Sequence, residues 1–207
     1  MRSRHFTGLA IATALAAVTV PTAHAVEAYA IDLSHSSVGF SVKHFGISTV
    51  RGRFTEFSGE LMIDEEDLVN SSVSIEIATA SIDTRHEQRD GHLRSADFFD
   101  AENHETLTFE STKIEKTGDG EFLVTGKLTI RGTTHEVRMP VTFGGPITVR
   151  GTLRVGIEGE VTIDRQDYGV SFSRVMDTGG LIVGNDVTIS FSLEASRPLQ
   201  EAADDES

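Results

Sequence analysis

Residues 122–130 read FLVTGKLTI, and their alternation is the clearest indication of the fold. Alternate positions on one side are apolar or glycine, namely Phe122, Val124, Gly126, Leu128 and Ile130. The intervening positions include the polar residues Thr125, Lys127 and Thr129. Because successive side chains of a β-strand point to opposite faces of a sheet, this period of two predicts a strand with one apolar face.

Further segments of the chain repeat this period. They lie at residues 38–42, 57–63, 73–77, 107–109, 137–143, 153–163 and 187–193. Turn signals such as Gly118-Asp119-Gly120 and Arg131-Gly132-Thr133 separate neighbouring strands, and Gly144-Gly145-Pro146 is predicted to end another. Strands joined by such short links pair as antiparallel neighbours, so we predict an all-β, up-and-down meander of eight antiparallel strands.

Eight such strands form either a two-sheet sandwich or a closed barrel, and two glycines favour the barrel. Gly59 and Gly159 lie inside the second and seventh strands, which we expect to be long. Long strands must bend sharply for a sheet to close, and an interior glycine permits the bend. The period does not decide whether side chains fill the interior or whether it holds one ligand.

One segment departs from the strand pattern and predicts a short helix. Thr84-Arg85-His86-Glu87 has the form of a capping box, in which Thr84 caps the helix and Glu87 reaches back. The helix is expected to continue to about Ser95, with Leu93 as its main apolar residue. The glycine-rich stretch around Gly179-Gly180 is predicted to be a loop before the last strand.

The N-terminus is predicted to be a secretory signal peptide at residues 1–25. Arg2 and Arg4 precede an apolar run, and Ala23-His24-Ala25 has the A-x-A form of a cleavage site. We therefore expect a periplasmic protein with one domain at residues 26–195 and an acidic, disordered tail at residues 196–207. The chain has no cysteine, so its fold needs no disulfide bond in an oxidising compartment.

The charge of the chain argues against nucleic acid as a partner. The net charge is −14, and removal of Arg2 and Arg4 with the signal peptide lowers it to −16. Such a surface repels phosphate backbones. It is also expected to keep the protein soluble and away from anionic membranes.

Several motifs are not required by the strand pattern. They are IDLSHSSVGFSVKH at 31–44, HLRSADFFD at 92–100, FES at 109–111, GKLTIRG at 126–132 and DRQDYG at 164–169. In this order and spacing they resemble the YceI-like family from about Tyr29 to Ala195. Glu105 departs from the family, which usually has proline at this place. The resemblance implies a lipocalin-like barrel in the periplasm that binds a polyisoprenoid chain, such as an isoprenoid quinone or a polyprenyl derivative.

The candidate ligand-binding residues are mainly aromatic, since a hydrocarbon tail needs an apolar wall. They are Phe40, Val42, His44, Phe54, Phe57, Leu93, Phe98, Phe99, Phe109, Phe143 and Phe172. His44 is a candidate to hydrogen-bond the head group, and a turn at Phe98-Phe99 would close the mouth of the barrel. Ordinary core packing for the phenylalanines, and a strand-end role for His44, remain open alternatives.

The other polar residues favour structural roles. The histidines lack the spacing of a zinc site, and the pair His86 and Asp90 is more typical of a solvated helix face, so no metal site is predicted. Arg165 stands between Asp164 and Asp167 and is expected to pair with them. No catalytic residues are predicted, because the chain has no nucleophile-elbow motif for an activated serine.

The sequence thus predicts a protein that binds an isoprenoid lipid as a carrier or storage protein, with no chemistry of its own. No cofactor is expected other than the bound lipid, and the protein is expected to be a monomer or homodimer. Two alternatives stay open. One is an interaction module with a filled interior that docks on a membrane redox protein, and the other is a lipid-modifying enzyme.

Overall fold

The computed structural model describes residues 25–176 and 180–199, and its strands form one continuous antiparallel sheet. The strands are β1 (Val26–Ile31), β2 (Ser37–His44), β3 (Ser48–Phe54), β4 (Phe57–Asp64), β5 (Ser72–Ala78), β6 (Ile82–Asp83), β7 (Thr106–Lys116), β8 (Glu121–Ile130), β9 (Thr133–Val149), β10 (Thr152–Asp164) and β11 (Val183–Pro198). One α-helix, α1, spans Glu87–Arg94, and short 3-10 turns lie at Leu68–Asn70, Thr79–Ser81 and Arg165–Tyr168.

The sheet closes into the predicted eight-stranded barrel. Three of its eight strands are interrupted, so that β1 with β2, β3 with β4, and β5 with β6 each follow one line of the sheet. The long β11 closes the barrel because it pairs with β2 over its first half and with β1 at Ala30 and Ile31 near its end. Every pairing is antiparallel between neighbours in the meander, which confirms the predicted topology.

A polar turn explains why the first strand line is interrupted between β1 and β2. The Asp32 carboxylate accepts hydrogen bonds from the backbone N–H and the hydroxyl of Ser34. An aspartate that bonds the backbone two residues ahead forms a turn in place of the strand ladder. The chain therefore leaves the sheet for a few residues before β2 begins at Ser37.

Gly159 packs closely against both neighbouring strands. Gly159 pairs directly with Phe191 of β11, and a Cβ at Gly159 would stand 2.7 Å from Cζ of Phe191 and 2.8 Å from the Pro140 carbonyl oxygen. Any larger residue at this position would strike both a ring and the backbone of the next strand. The 13-residue β10 therefore carries glycine where a ring of β11 and the backbone of β9 come close to it.

The structure corrects the prediction for Gly144-Gly145-Pro146. These residues do not end a strand, because β9 continues through them to Val149. The register between β9 and β10 shifts beside Gly156, which is a bulge rather than a turn. The hairpin turn comes later, at Arg150 and Gly151, where both residues have positive φ.

The helix is where the sequence predicts it, but its cap differs. His86 is the N-cap, and its ring nitrogen Nδ1 accepts a hydrogen bond from the Arg89 backbone N–H. Thr84 instead donates from its backbone N–H and its hydroxyl to the buried carboxylate of Asp90. The pair His86 and Asp90 is therefore engaged in capping and in anchoring the helix start.

The ends of the chain lie mostly outside the described residues. This holds for residues 1–24 of the predicted signal peptide, for Gly179 of the predicted loop, and for residues 200–207 of the predicted tail. Ser196, Arg197 and Pro198 belong to β11, so the tail begins later than the sequence predicts. Among the described helices, none has the length and apolar character needed to cross a bilayer.

Candidate functional site

Three apolar cavities follow one another inside the barrel. The first, of about 90 Å³, lies beside α1 and is lined by Phe40, Val42, Phe54, Leu93, Phe98, Phe99, Leu107, Ile130, Ile163, Arg165, Tyr168, Val170, Val183, Val187 and Ile189. The second, of about 110 Å³, shares Ile189 with the first and has only apolar side chains in its wall. The third, of about 70 Å³, shares Leu61, Val73, Val124, Val141 and Ile157 with the second.

The structure brings six of the predicted site residues to one cavity. Phe40, Val42, Phe54, Leu93, Phe98 and Phe99 all line the cavity beside α1. Their rings also contact one another, since the Phe54 ring lies 5.9 Å from that of Phe40 and 6.2 Å from that of Phe99. Four elements supply this aromatic wall: β2, β3, α1 and the turn that follows α1.

The other predicted residues are dispersed. Phe109 lines the second cavity and Phe143 the third. Phe57 packs against the core beside these cavities. Phe172 lies over Phe98, with ring centroids 4.7 Å apart, and His44 contacts Phe45 at the end of the β2–β3 hairpin. His44 is therefore placed at the rim of the barrel rather than in a cavity wall.

Aliphatic residues that are absent from the predicted site make up much of the cavity wall. Ile130, Ile163, Val187 and Ile189 line the cavity beside α1 together with the aromatic rings. Each occupies an inward position of a strand whose alternation is plain in the sequence. The alternation of apolar residues therefore identifies these four positions as inward-facing, although the prediction from aromatic residues does not include them.

Arg131 fastens the segment that closes this end of the barrel. Its guanidinium donates hydrogen bonds to the carbonyl oxygens of Ala96 and Phe98, and to that of Gly169. These bonds tie the turn after α1 and the turn after β10 to the β8–β9 hairpin. The Phe98-Phe99 step is held in place as part of this closure.

Arg165 is the charged residue in the cavity walls, and the structure corrects its predicted pairing. Its guanidinium donates to the carbonyl oxygens of Gly184 and Val170 and to the Asn185 side-chain oxygen, rather than to Asp164 or Asp167. The residue is 5% exposed, and burial lowers the pKa of its guanidinium. Burial, with a smaller effect of the Asp167 charge, raises the pKa of Tyr168 beside it to about 12.

Comparison with known proteins shows to which family this barrel and its sequence motifs belong. The model of the YceI-like domain matches residues 29–195, which is most of the chain. The chain belongs to the YceI-like domain family. This confirms the resemblance that the sequence motifs indicate.

Relatives and solved structures share this domain over most of their length. A UPF0312 protein of Vibrio parahaemolyticus is 37% identical over 172 residues, which are 82% of this chain and 88% of that protein. The crystal structure of BcnA from Burkholderia cenocepacia has a TM-score of 0.70 and 30% identity, covering 79% of this chain and 98% of that one. A polyisoprenoid binding domain from Saccharophagus degradans has a TM-score of 0.60 and covers 82% and 98%, but at 17% identity it supports the fold alone.

A charged cluster lies on the outer surface of this YceI-like domain. Asp32, His35 and Glu194 are close enough for their ligand atoms to lie within 4.8 Å of one another. The Arg154 guanidinium bonds Glu194 and lies 3.4 Å from Asp32, so a cation of the chain already pairs with both carboxylates. Hydrogen bonds from Ser34 and His35 hold the pKa of Asp32 well below its usual range, and the bond to Asp32 raises the pKa of His35.

A larger recess of about 730 Å³ lies on the outside of the curved sheet. Its wall includes Arg53 and the carboxylates of Glu121, Glu158 and Glu160. Charged carboxylates disfavour a hydrocarbon, because they would have to give up their hydration. The inner cavities of the YceI-like domain, although smaller, are therefore the candidate site for an apolar ligand.

Proposed function

We propose that this YceI-like domain binds the tail of a long isoprenoid lipid inside its barrel. The observation that carries the proposal is the row of three apolar cavities inside the barrel, each of which shares wall residues with the next. Membership of the family supports it, as does the fold shared with a domain from Saccharophagus degradans that is named for polyisoprenoid binding. The lipid is an isoprenoid quinone or a polyprenyl derivative.

The driving force is burial of hydrocarbon. An isoprenoid tail moved from water to an apolar interior gains about 25 cal/mol for each Å² that is buried. The second cavity suits this transfer because its wall consists of apolar side chains. The Phe109 and Phe191 rings and the aliphatic Val73 and Ile75 all contribute to it.

The tail joins cavities that are separate in the described structure. Each of the three is smaller than the roughly 300–1,000 Å³ of a typical ligand pocket, so a long chain must displace side chains between them. Ile189 lies in the walls of the first and second cavities, and Leu61 lies in those of the second and third. Rotation of such side chains converts the row into one channel.

We propose that the head group lies toward the end beside α1. This cavity contains Arg165 and Tyr168 in its wall, while the second cavity has no polar side chain. The Arg165 guanidinium already donates to the carbonyl oxygens of Gly184 and Val170, so the head group would lie toward this end without a direct bond from Arg165. The predicted site residues Phe40, Val42, Phe54, Leu93, Phe98 and Phe99 then contact the first isoprene units.

The role that follows is that of a carrier or storage protein that is exported to the periplasm. Enclosure of the tail lets a lipid remain in water while it is attached to an acidic, soluble protein. No residue is assigned a catalytic role. An interaction module for a membrane redox protein is the alternative, and it requires an interior that takes up no lipid.

The experiment is recovery of the protein from its own host, native mass spectrometry, and organic extraction of whatever it carries. A bound isoprenoid in stoichiometric amount would support the proposal, and its fragments would identify the head group. Binding of added geranylgeraniol is then compared with that of unbranched palmitic acid. A protein that is recovered empty and binds neither the natural lipids nor geranylgeraniol would contradict the proposal and favour the interaction module.

A further inference from the structure

One end of the barrel carries exposed apolar side chains beside the first cavity. Phe45 and Ile47, in the turn between β2 and β3, are 40% and 87% exposed, and Val175 is 64% exposed. We refer to Phe45, Ile47 and Val175 as the apolar tip. Large apolar residues that are grouped in this way on a soluble protein mark an interaction surface.

Hydrogen bonds join the two segments of the apolar tip into one surface. The backbone N–H of Phe45 donates to the Ile182 carbonyl oxygen at 2.8 Å, and the Ile182 N–H donates to the Arg174 carbonyl oxygen at 2.9 Å. Val175 forms an isolated β-bridge with Leu181 in the same loop. Backbone hydrogen bonds therefore hold the β2–β3 turn next to the loop that precedes β11.

The backbone at Phe45 shows that an apolar side chain is kept here at a cost. Phe45 has a φ of 53° and Gly46 a φ of 72°, in a turn that the Ile47 N–H closes onto the His44 carbonyl oxygen. Turns of this kind favour asparagine or glycine at both positions, and a bulky side chain with positive φ is strained. A phenylalanine in such a turn, with 40% of its surface exposed, suggests a function for the ring.

The charges around the apolar tip differ from those of the whole chain. Residues 38–54 contain Lys43, Arg51 and Arg53 and no acidic residue, although the chain carries −14. Asp83 pairs with Arg53 at 3.1 Å, and among residues 25–176 and 180–199 no carboxylate forms an ion pair with Lys43 or Arg51. The register pairs Lys43 with Thr49 and Ser41 with Arg51, so the two cations share one face of the hairpin.

The apolar tip is continuous with the wall of the first cavity. Val42 lines that cavity three residues before Phe45, and Val183 lines it directly after Ile182. A surface in contact with the apolar tip thus lies within a few residues of the wall of the first cavity. An anionic lipid bilayer matches both features, because it offers hydrocarbon to the apolar side chains and phosphate to Lys43 and Arg51.

We infer that the apolar tip docks on an anionic phospholipid bilayer, so that the end of the barrel beside the first cavity faces the membrane. Docking goes beyond the binding of an isoprenoid and does not depend on it. The overall negative charge keeps the remainder of the domain off the membrane, which makes the contact reversible and oriented. Attraction between charges at a surface is screened by salt, so the contact weakens as ionic strength rises.

The experiment measures flotation of the purified full chain with vesicles that contain no isoprenoid. One set consists of phosphatidylethanolamine with phosphatidylglycerol, and the other of phosphatidylcholine alone. We expect binding to the anionic vesicles that decreases with added salt. Substitution of Ile47→Ser with Val175→Ser is expected to reduce the bound fraction by about tenfold, since two exposed apolar side chains are removed.

A matched variant, Ile147→Ser with Val149→Ser, removes two exposed apolar side chains from the β9–β10 hairpin instead. It should bind as the unmodified chain does, and both variants should melt at the unmodified temperature because the positions are exposed. All variants share the same termini, so a difference between them reports the apolar tip. Absence of binding to anionic vesicles at low salt, or an equal loss in both variants, would overturn the inference. Geranylgeraniol binding in solution, measured on the same samples, separates this result from a failure of the proposed function.

Discussion

The Phe40 ring covers Gly52 across the β2–β3 pair, where the two residues are direct partners. A Cβ at residue 52 would stand 2.6 Å from Cε1 of Phe40 and 2.9 Å from the Thr84 methyl carbon. Phe40 also lines the cavity beside α1, so the absence of a side chain at Gly52 determines where this wall lies. We expect Gly52→Ala to destabilise the fold by about 1–3 kcal/mol, because the ring must move.

The same substitution should also weaken binding of geranylgeraniol, since a displaced Phe40 ring turns into the cavity. Gly91→Ala in α1 is the matched control, because a Cβ at Gly91 meets no atom within 4 Å. It should stabilise the protein by about 0.5–1 kcal/mol through helix propensity alone. Urea denaturation and a binding titration measure both effects, and a Gly52→Ala variant as stable as the unmodified chain would refute the packing argument.

Two buried threonines of similar exposure should respond in opposite directions to valine. The Thr79 hydroxyl is buried without a hydrogen-bond partner among the described residues, so Thr79→Val is expected to be neutral or stabilising by up to about 1 kcal/mol. The Thr84 hydroxyl donates to Asp90 and accepts from Nε of Arg89 at 2.7 Å. Thr84→Val should therefore cost about 1–3 kcal/mol.

The measurement for both valine variants is the midpoint of urea unfolding at an unchanged m-value. Equal losses in the two variants would mean that Thr79 has a partner in solution, such as a buried water molecule. A stable Thr84→Val variant would mean that Asp90 is satisfied without the hydroxyl.

Arg165 is expected to be essential for the start of β11. Arg165→Met leaves the carbonyl oxygens of Gly184 and Val170 without their donor, at a cost of about 3 kcal/mol. Arg165→Lys should recover only part of this, because an ammonium group cannot reproduce the planar fork of donors. Hydrogen exchange should show the loss in the first residues of β11, while exchange in β8 follows global stability only. Full rescue by lysine would contradict a role that depends on the guanidinium shape.

Most of the fold could be predicted from the sequence because strong alternation survives in strands with one buried face. The segment 122–130 belongs to β8 throughout, and 153–163 lies within β10. The alternating pattern does not predict β3, because its inward positions are Val50, Gly52 and Phe54, and the glycine interrupts the row of apolar residues. The pattern does not predict β1 either, because the positions on both sides of the buried Tyr29 are alanine rather than polar residues.

The candidate site was only partly predictable, for a different reason. Alternation identifies Phe40 and Val42 as inward residues, but it does not reveal which inward residues leave space between them. The environment of Arg165 was hidden because its neighbours Asp164 and Asp167 suggest ion pairs. The 3-10 turn at Arg165–Tyr168 directs the guanidinium toward backbone carbonyls instead, and local sequence carries no signal for that direction.

The surface cluster at Asp32 and His35 predicts a pH dependence. The hydrogen bond from the Nδ1 of His35 to Asp32, at 2.9 Å, raises the pKa of His35 above its ordinary value. A raised pKa means that the folded state binds the proton more tightly than the unfolded state does. The stabilisation is therefore fully present below the ordinary histidine pKa of about 6.5 and is lost as the pH rises through the folded value.

A nuclear magnetic resonance titration of the His35 ring protons measures this directly. His35→Gln should remove the corresponding part of the change in stability between acid and neutral pH. His86→Gln is the control, since its ring accepts a bond from the Arg89 backbone N–H and meets no carboxylate partner in the described contacts. An ordinary pKa for His35 would show that the bond to Asp32 does not persist in solution.

Ile189 separates two of the cavities, and its size should set which isoprenoids are bound. The residue lies in the walls of both the 90 Å³ and the 110 Å³ cavity, so a larger side chain there closes the passage between them. Ile189→Trp is expected to cost about 1–3 kcal/mol by overpacking, and its folding is checked first by thermal melting.

Binding of solanesol, whose tail must extend past residue 189, should weaken at least about tenfold, which corresponds to about 1.4 kcal/mol. Geraniol, which is short enough to occupy the cavity beside α1, should bind nearly as before, and Ile147→Trp on the outer hairpin should change neither affinity. If Ile189→Trp weakens geraniol and solanesol equally, the tail does not run from the first cavity into the second, and the lipid lies elsewhere on the domain.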